Sequence, residues 1–285
     1  MIRSLLTGLL MLALPAMASA APAKDALTRI KATKSVSIAY RADALPFSFL
    51  DDSKQPNGYS IDLCRRVVAS IGEQLGIEGI QIKWVPVTLQ TRMDAVAKGQ
   101  ADMECGSTTV TLARMKQVDF SSYTFVDGTG LLVKADAGIS KLTDLGGKKL
   151  GVLPGTTNEK ALNDALKKSA INAVVVPVKS RDEGFAQFEA GELDAFIGDR
   201  VLLMGMSPKA KSPKSITMLA DTLSMEPYAI VLPLGDDKLR LAVNTALARI
   251  YRSGAIVDVF GRWFGGMGKP GLMLEAMFVL GSIPE

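Results

Sequence analysis

Residues 149–168 read KLGVLPGTTNEKALNDALKK and contain one complete strand–turn–helix unit. The apolar start predicts a strand over Lys149–Leu153, and Thr156-x-x-Glu159 is a capping box for a helix that continues to about Lys168. The following residues repeat this pattern with a buried strand at Ala173–Val178, a capping box at Ser180-x-x-Glu183, a helix that stops at Gly191, and a strand at Ala195–Ile197. Such alternation predicts an α/β fold in which helices flank parallel sheets.

The same alternation extends toward both ends of the chain. The other predicted strands include Val36–Tyr40, Gln81–Val87 and Ala101–Cys105. The other predicted helices are Ser60–Leu75, a segment capped by Thr88 and ending at Ala97, Leu112–Gln117, and two near the C-terminus at about Asp236–Arg252 and Ala255–Phe264. The Ser60–Leu75 helix has an apolar face that consists of Ile61, Cys64, Val67, Val68 and Ile71.

The length of 285 residues is enough for about two domains. No Gly/Ser-rich or Pro-rich linker separates two halves, so we expect the chain to cross between two lobes inside ordered strands. The candidate crossings are Tyr123–Lys134, predicted as the two strands Tyr123–Val126 and Gly130–Lys134, and Glu226–Pro233. This organisation assigns residues 21–126 plus 229–285 to lobe 1 and residues 127–228 to lobe 2.

Composition excludes several classes of function. The absence of histidine excludes Ser-His triads and histidine metal ligands, and two cysteines are too few for a four-cysteine zinc site. We therefore predict no metal site and no cofactor. A net charge of +4, without a long basic run, does not favour a nucleic-acid partner. Cys64 and Cys105 are read equally well as two buried thiols or as a disulfide.

The N-terminus has the pattern of an export signal. Arg3 precedes the short apolar run Leu5–Leu14, and Ala18-Ser19-Ala20 matches an A-x-A cleavage site. We expect cleavage after Ala20 and a periplasmic mature protein of residues 21–285. A membrane anchor is the alternative, but the apolar run is shorter than the ~20 residues that a spanning helix needs.

The residues that follow the predicted strands are rich in groups that bind anions. In an open α/β sheet, ligands lie beyond the carboxyl ends of the strands. These positions carry four guanidiniums, several hydroxyls and one carboxylate, on Arg41, Arg92, Arg114, Arg181, Ser107, Thr109, Thr156, Thr157, Ser180 and Asp199. Guanidiniums pair with carboxylates and a lone carboxylate suits an ammonium, so the set predicts a small zwitterion with surplus negative charge.

Each residue of this set also has a simpler interpretation. A single arginine after a strand is commonly a solvated surface charge, and the threonines, Ser180 and Asp199 suit helix N-caps. The prediction therefore depends on all the strand ends together. On the count of Arg41, Arg92 and Arg114 against Asp199, we expect a net pocket charge near +2, or +3 if Arg181 points inward.

Several motifs resemble the periplasmic amino-acid-binding proteins of ABC uptake systems, over essentially all of the mature chain. Pro46-Phe47-Ser48-Phe49 followed by Gly58-Tyr59-Ser60-Ile61-Asp62-Leu63 matches the opening of that family, as do the Thr109–Arg114 segment and Gly191-x-x-Asp194-Ala195. The resemblance implies the two-lobe type II fold, in which each lobe is a mainly parallel sheet flanked by helices and two hinge crossovers join the lobes.

The glutamate/aspartate-binding branch is more similar still. Its characteristic residues match Glu104-Cys105-Gly106-Ser107-Thr108-Thr109, with Arg114 five residues later, and Gly155-Thr156-Thr157. The resemblance implies that Arg114, Ser107 and Thr109, with Thr157 or Thr156, hold the ligand α-carboxylate. It implies that Asp199 takes the α-ammonium and that Arg41 and Arg92 take the side-chain carboxylate. Two departures from the branch affect the part of the pocket that holds the ligand side chain. Arg181 stands where the branch carries histidine, and Leu89 stands where the branch carries serine.

The resemblance implies a binding protein, not an enzyme. It would capture an acidic amino acid by hinge closure, act as a monomer and deliver the ligand to the membrane permease of an ABC importer. One alternative is a periplasmic dehydratase-like enzyme on the same fold, for which Glu104 is the candidate acid or base. The other is a binder of another polar amino acid.

Overall fold

The structure, a computed structural model, describes residues 25–284, so the predicted signal peptide (1–20) lies outside the described residues. The helices are α1 (Ala26–Thr33), α2 (Tyr59–Leu75), α3 (Arg92–Ala97), α4 (Thr157–Lys168), α5 (Arg181–Glu189), α6 (Arg200–Met206), α7 (Asp237–Arg252), α8 (Ala255–Phe264) and α9 (Leu272–Gly281). The strands are β1 (Ser35–Arg41), β2 (Asp43–Ala44), β3 (Ser48–Leu50), β4 (Pro56–Asn57), β5 (Gln81–Val87), β6 (Met103–Glu104), β7 (Val118–Lys134), β8 (Lys149–Val152), β9 (Val174–Pro177), β10 (Ala195–Asp199), β11 (Ile216–Met218) and β12 (Met225–Pro233).

One sheet runs through the molecule in the order β5-β1-β6-β12-β7-β10-β8-β9, and β11 pairs with β7. Strands β5, β1 and β6 are parallel and form what we term the first block. Strands β10, β8 and β9 are likewise parallel and form the second block. Strands β2, β3 and β4 make a separate small antiparallel sheet. The fold is therefore α/β, with parallel strands and flanking helices in each block, as the sequence predicts.

Two long strands between the blocks carry the chain from one block to the other. Strand β7 pairs antiparallel with β12 from Val118 to Gly128, and with β10 from Thr129 to Val133. The sequence predicts two strands in this region, but the structure has one continuous strand of 17 residues. Gly128 does not interrupt the strand, because it is paired with Met225 in the β7–β12 ladder.

Buried apolar residues form clusters that follow the two blocks. The largest includes the five predicted core residues of α2 and the aromatic rings of Phe47, Phe125 and Tyr228. Two further clusters have all their buried members between residues 131 and 219 and cover the second block. Leu89, which follows β5 of the first block, packs against one of these second-block clusters. The two blocks are therefore in contact beside the carboxyl ends of their strands.

The helix ends show which local predictions hold. Thr156 and Ser180 each accept a backbone hydrogen bond from the residue three positions on, as the capping boxes predict. Helix α2 ends at Leu75 and is followed by Gly76, whose φ of 63° lies in the left-handed region that glycine adopts without steric cost. The helix predicted after Thr88 begins only at Arg92, because Thr88 and Thr91 bond each other in a turn. Helices α1, α6 and α9 are not predicted from the sequence.

Cys64 and Cys105 form a disulfide. The bond joins α2 to the residue that follows β6, across a sequence separation of 41 residues. It decides between the two interpretations that the sequence left open. It also fixes the loop 106–109 next to a buried helix. Across residues 25–284, none of the helices combines the length and the apolar character that a membrane crossing requires.

Candidate functional site

The predicted site residues lie at the carboxyl ends of the strands of both blocks. In the first block, Arg41 ends β1, Arg92 begins the helix after β5, and Ser107 and Thr109 follow β6. In the second block, Thr156 and Thr157 follow β8, Arg181 follows β9, and Asp199 ends β10. Six of the nine predicted side chains are buried, namely Arg41, Arg92, Ser107, Thr109, Arg181 and Asp199, whereas Arg114, Thr156 and Thr157 are partly buried.

The arginines of this set interact with one another and with shared carboxylates. The charges of Arg41, Arg114 and Arg181 all act on Arg92. Asp199 acts on both Arg114 and Arg181, which belong to different blocks. The arginines therefore lie around one place and not on separate surfaces. The alternative of solvated surface charges does not hold for the three buried arginines, because a buried charge needs a partner.

Arg41 is held at the edge of the cluster by an acidic residue that the sequence analysis did not select. Its Nε donates to Asp43 Oδ1 at 2.8 Å and its Nη2 donates to Asp43 Oδ2 at 2.5 Å. Arg181, from the second block, approaches the same carboxylate at 3.6 Å and donates to the Asp43 carbonyl oxygen at 3.2 Å. Although burial raises the pKa of Asp43, the charge and hydrogen bonds of Arg41 outweigh it and keep the pKa below its usual value.

Arg92 and Glu104 form the most buried part of the cluster. Burial lowers the pKa of Arg92 to about 9, because the attraction of Glu104 only partly offsets the loss of water and the repulsion of Arg41. Burial also raises the pKa of Glu104, against the charge of Arg92 and a hydrogen bond from Thr108 Oγ1 at 2.8 Å. A Cβ at Gly106 would collide with Glu104 Oε1. Any larger residue at position 106 would therefore displace this carboxyl group.

The predicted α-carboxylate end contains a carboxylate of the protein itself, that of Glu226 on β12. Thr109 Oγ1 and Thr157 Oγ1, from different blocks, donate to Glu226 Oε2 at 2.6 and 2.7 Å. Arg114 Nη1 donates to the Thr109 carbonyl oxygen at 2.6 Å, and the charge of Glu226 opposes the burial that lowers the pKa of Arg114. The Thr156 hydroxyl is instead used at the start of α4, where it caps the helix and donates to Leu153.

Asp199 and Asp127 form a pair of buried carboxyl groups near Glu226. Asp199 Oδ1 accepts from Asn158 Nδ2 at 3.0 Å. Burial raises the pKa of Asp199 against the attraction of Arg181. Burial and the charge of Asp199 raise the pKa of Asp127 to about 8, and Tyr228 Oη donates to Asp127 Oδ2 at 3.3 Å. Asp199 precedes α6, but its side chain makes no capping bond there.

These neighbours change the expected charge of the site. The four guanidiniums stand with five carboxyl groups, on Asp43, Glu104, Asp127, Asp199 and Glu226. The expectation of a net charge near +2 or +3 counted only residues that directly follow predicted strands, so it omitted Asp43, Glu104, Asp127 and Glu226. Burial raises the pKa values of Glu104, Asp127 and Asp199, which favours their neutral forms and leaves the site more positive than the number of carboxyl groups alone suggests.

Several polar atoms of this cluster have no hydrogen-bond partner. Within residues 25–284, five buried side-chain nitrogen or oxygen atoms lack one, and four of them belong here: Arg41 Nη1, Arg92 Nε, Glu104 Oε1 and Ser107 Oγ. Buried polar groups are almost always paired, and each one left unpaired costs about 1–3 kcal/mol. Three of the four atoms can donate, which suits a ligand that brings acceptor oxygens.

Sequence reasoning missed Asp43, Asp127, Asn158 and Glu226. Glu226 and Asp127 lie in the two predicted crossings, and Asn158 lies inside the Thr156-x-x-Glu159 capping box. These three residues were therefore part of segments that the sequence analysis had already identified. Their common signal is a polar residue in an otherwise apolar strand or at a helix start. In the described part of the chain, no group of three or more acidic or cysteine side chains is arranged to hold a metal ion.

Comparison with known proteins assigns the family. The model of the bacterial extracellular solute-binding proteins, family 3, matches residues 36–266. A Pseudomonas aeruginosa L-glutamate/L-aspartate-binding protein is 36% identical over 241 residues, which are 84% of this chain and 79% of the relative. The Escherichia coli glutamate/aspartate import solute-binding protein is 32% identical over 246 residues, which are 86% of this chain and 82% of the relative.

Solved structures show the same fold. The ancestral amino-acid-binding protein described as a precursor of cyclohexadienyl dehydratase is 27% identical, with a TM-score of 0.73 over 84% of this chain and 100% of its own. An ancestral arginine-binding protein bound to arginine is also 27% identical, with a TM-score of 0.71 over 81% of this chain and 99% of its own. The fold is that of the type II periplasmic binding proteins. The chain belongs to the bacterial extracellular solute-binding proteins, family 3.

Proposed function

We propose that this chain captures an acidic amino acid, glutamate or aspartate, and delivers it to the membrane permease of an ABC importer. The names of its relatives in Pseudomonas aeruginosa and Escherichia coli support this ligand. The observation that carries the proposal is the group of buried donors without acceptors, on Arg41, Arg92 and Ser107. A ligand carboxylate supplies the missing acceptors and a compensating charge, whereas a neutral side chain leaves a buried guanidinium unpaired.

The two ends of the cluster divide the ligand between them. We assign the α-carboxylate to Arg114 with Ser107, Thr109 and Thr157, because Thr109 and Thr157 already donate to one carboxylate, that of Glu226, and Ser107 Oγ has no partner. We assign the ammonium to Asp199, whose raised pKa shows that a positive neighbour would favour its charged form.

The other end takes the side-chain carboxylate. We assign it to Arg41 and Arg92, with Arg181 beside them. Asp43 leaves Nη1 of Arg41 without a partner, and Nε of Arg92 also has none, so both nitrogens can donate to the ligand. Thr156 remains a second candidate beside Thr157, although its hydroxyl serves the helix start.

Capture would occur by closure of two lobes. We propose lobe 1 as residues 21–126 plus 229–285 and lobe 2 as residues 127–228, with β7 and β12 as the connections. The assigned ligand contacts come from both lobes, so the ligand binds the closed form more tightly and shifts the equilibrium toward it. A shape change of this kind is what a permease could recognise. We further propose that the protein is cleaved after Ala20 and acts in the periplasm as a monomer.

We propose binding rather than catalysis as the role of the site. The relatives at 32–36% identity are named as binding proteins. Glu104 is the residue that favours the alternative of a dehydratase-like enzyme, because it is buried, its pKa is raised and its Oε1 is unpaired. The charge of Arg92 and the hydrogen bond from Thr108 give Glu104 a structural role that needs no reaction. Release of water from carboxylated ring substrates by the purified protein would support the enzyme instead.

A ligand screen tests the proposal. The mature protein, residues 21–285, is melted with each of the twenty amino acids, and hits are measured by calorimetry. Glutamate or aspartate at 100 times its dissociation constant should stabilise the protein by about 2.7 kcal/mol. Small-angle scattering with the same ligand should show a more compact particle. Stabilisation by neutral or basic amino acids alone would refute the acidic ligand, and an unchanged scattering profile on ligand saturation would refute closure.

A further inference from the structure

Asp43 occupies one edge of the Arg41 guanidinium. It forms two hydrogen bonds to Nε and Nη2 of Arg41, the side-by-side arrangement in which arginine binds a carboxylate most strongly. The same geometry would serve a ligand carboxylate. Because Asp43 takes that edge, only Nη1 of Arg41 is left without a partner.

The same carboxylate also faces Arg181. Its Oδ2 lies 3.6 Å from Arg181 Nη1, and the Asp43 carbonyl oxygen accepts from that nitrogen at 3.2 Å. Arg41 and Arg181 are both buried and repel each other, since the charge of Arg41 adds to the burial that lowers the pKa of Arg181. Asp43 thus offsets two like charges that come from different blocks.

We infer that Asp43 is a specificity-determining residue that competes with the side-chain carboxylate of the ligand for Arg41 and Arg181. This inference rests on the proposed function. The negative charge of Asp43 weakens the attraction for an acidic side chain and has little effect on a neutral amide of the same shape. It therefore lowers the preference for glutamate over glutamine below what the arginines alone would give.

The side chain of Asp43 is itself partly exposed, so that changing its charge affects mainly the two buried guanidiniums, of Arg41 and Arg181, that it faces. Its side chain is 40% exposed and lines a cavity of about 500 Å³ together with Arg181, Asp52 and Asp182. Water can therefore solvate a substituted side chain. Asparagine at this position keeps the backbone carbonyl oxygen that accepts from Arg181 and one side-chain oxygen for Arg41, so the substitution removes the charge and one of the two hydrogen bonds to Arg41.

The test is the affinity of Asp43→Asn for glutamate, aspartate and glutamine, measured by calorimetry beside the wild type. At an effective dielectric constant near 20, one charge removed several ångströms away and partly screened corresponds to about a tenfold change in affinity. We expect glutamate to bind about tenfold more tightly and glutamine to change less than about threefold. The matched control is Asp182→Asn, which removes the same charge from an exposed residue of the same cavity and should leave the glutamate-to-glutamine ratio unchanged.

Each outcome decides the inference. An unchanged ratio in Asp43→Asn, whether all affinities shift together or none shifts, overturns it and leaves Asp43 a contact between the blocks. If neither wild type nor variant binds an acidic amino acid, the proposed function fails along with the inference. If only the variant binds one, the inference stands and the proposed ligand of the natural chain is wrong. Asp43→Ser, checked by circular dichroism, provides the same test should the asparagine variant fold poorly.

Discussion

Arg92 should oppose the stability of the ligand-free protein while it supports ligand binding. Its side chain is only 4% exposed, its Nε has no partner, and three other arginines repel it. The perturbation is Arg92→Met, which keeps the length of the side chain and removes the charge. The double variant Arg92→Met/Glu104→Gln removes the counter-charge as well, so that no buried carboxylate is left without Arg92.

The size of the effect follows from the burial of the guanidinium. Burial lowers the pKa of Arg92 to about 9. At about 1.4 kcal/mol per pKa unit, and against about 12.5 for a free arginine, this is a penalty of about 5 kcal/mol on the charged form. The double variant should regain part of this penalty as stability, because it also removes the buried charge of Glu104. Proteins in which both charges of a buried ion pair are replaced by well-packed neutral residues are equally stable or more stable by about 1–4 kcal/mol.

We therefore expect the free energy of unfolding to rise and the glutamate affinity to fall when the charge of Arg92 is removed. Urea unfolding of the ligand-free double variant should show a free energy of unfolding up to about 1–4 kcal/mol above the wild type. Calorimetry should show glutamate affinity weakened by about 2–5 kcal/mol in Arg92→Met, because a bound carboxylate loses its partner. The control is Arg66→Met on α2, a half-exposed arginine paired with Asp62 on the same helix, for which changes below about 1 kcal/mol are expected in both assays.

Two results would refute this reasoning. Glutamate affinity equal to that of the wild type in Arg92→Met would remove Arg92 from the binding site. A double variant much less stable than the wild type would mean that the Arg92–Glu104 pair holds the ligand-free fold together. In that case the unpaired Nε would not reflect a site prepared for a ligand.

Three further predictions concern the neighbours of the site and the disulfide. The folded protein keeps the Asp127 proton up to about pH 8, whereas the unfolded chain releases it near pH 3.8, so the free energy of unfolding of the wild type should fall from pH 4 to 8. In urea unfolding, Asp127→Asn should remove about 2–4 kcal/mol of this fall, and parallel pH profiles of the two proteins would contradict the prediction. Glu226→Gln should cost about 1–3 kcal/mol in the same assay, because the amide keeps only one of the two oxygens that accept from four hydroxyls, on Thr109, Thr157, Thr129 and Ser224. An unaltered unfolding midpoint would count against it. Cys64→Ser/Cys105→Ser should lower the free energy of unfolding by about 4 kcal/mol, because the disulfide closes a loop with a sequence separation of 41 residues. The control is the wild type unfolded in reductant, and a smaller loss of stability in the variant than in the reduced wild type would contradict the loop-entropy explanation.

Much of the framework could be predicted from local patterns. The alternation in 149–199 and the bounds of β5 follow from hydrophobic period and capping residues, which act over a few neighbouring positions. The rule that ligands lie beyond strand ends also selected Arg41, Arg92 and Arg181, which the structure brings to one cluster. Helix α6 was missed because a strand that runs directly into a helix leaves no separate turn signal at Arg200.

The partners of the selected residues could not be predicted in the same way. Asp43 meets Arg181 across 138 positions of the chain, and Thr109 meets Glu226 across 117. Neither distance leaves a periodic trace in the sequence, because side-chain period reports only which face of one element is buried. The charge expected for the site left out Asp43 and Glu226 for this reason, since these carboxylates come from other elements.

The amino-acid sequence by itself determined the α/β fold, the strand-end arginines and the motifs of the family, because each depends on local hydrogen bonding and hydrophobic period. The tertiary structure alone decided which carboxylates face those arginines, that Cys64 bonds Cys105, and which buried atoms remain unpaired. Electrostatic interaction depends on distance through space and on exclusion of water. Both are set only when the two blocks pack against each other.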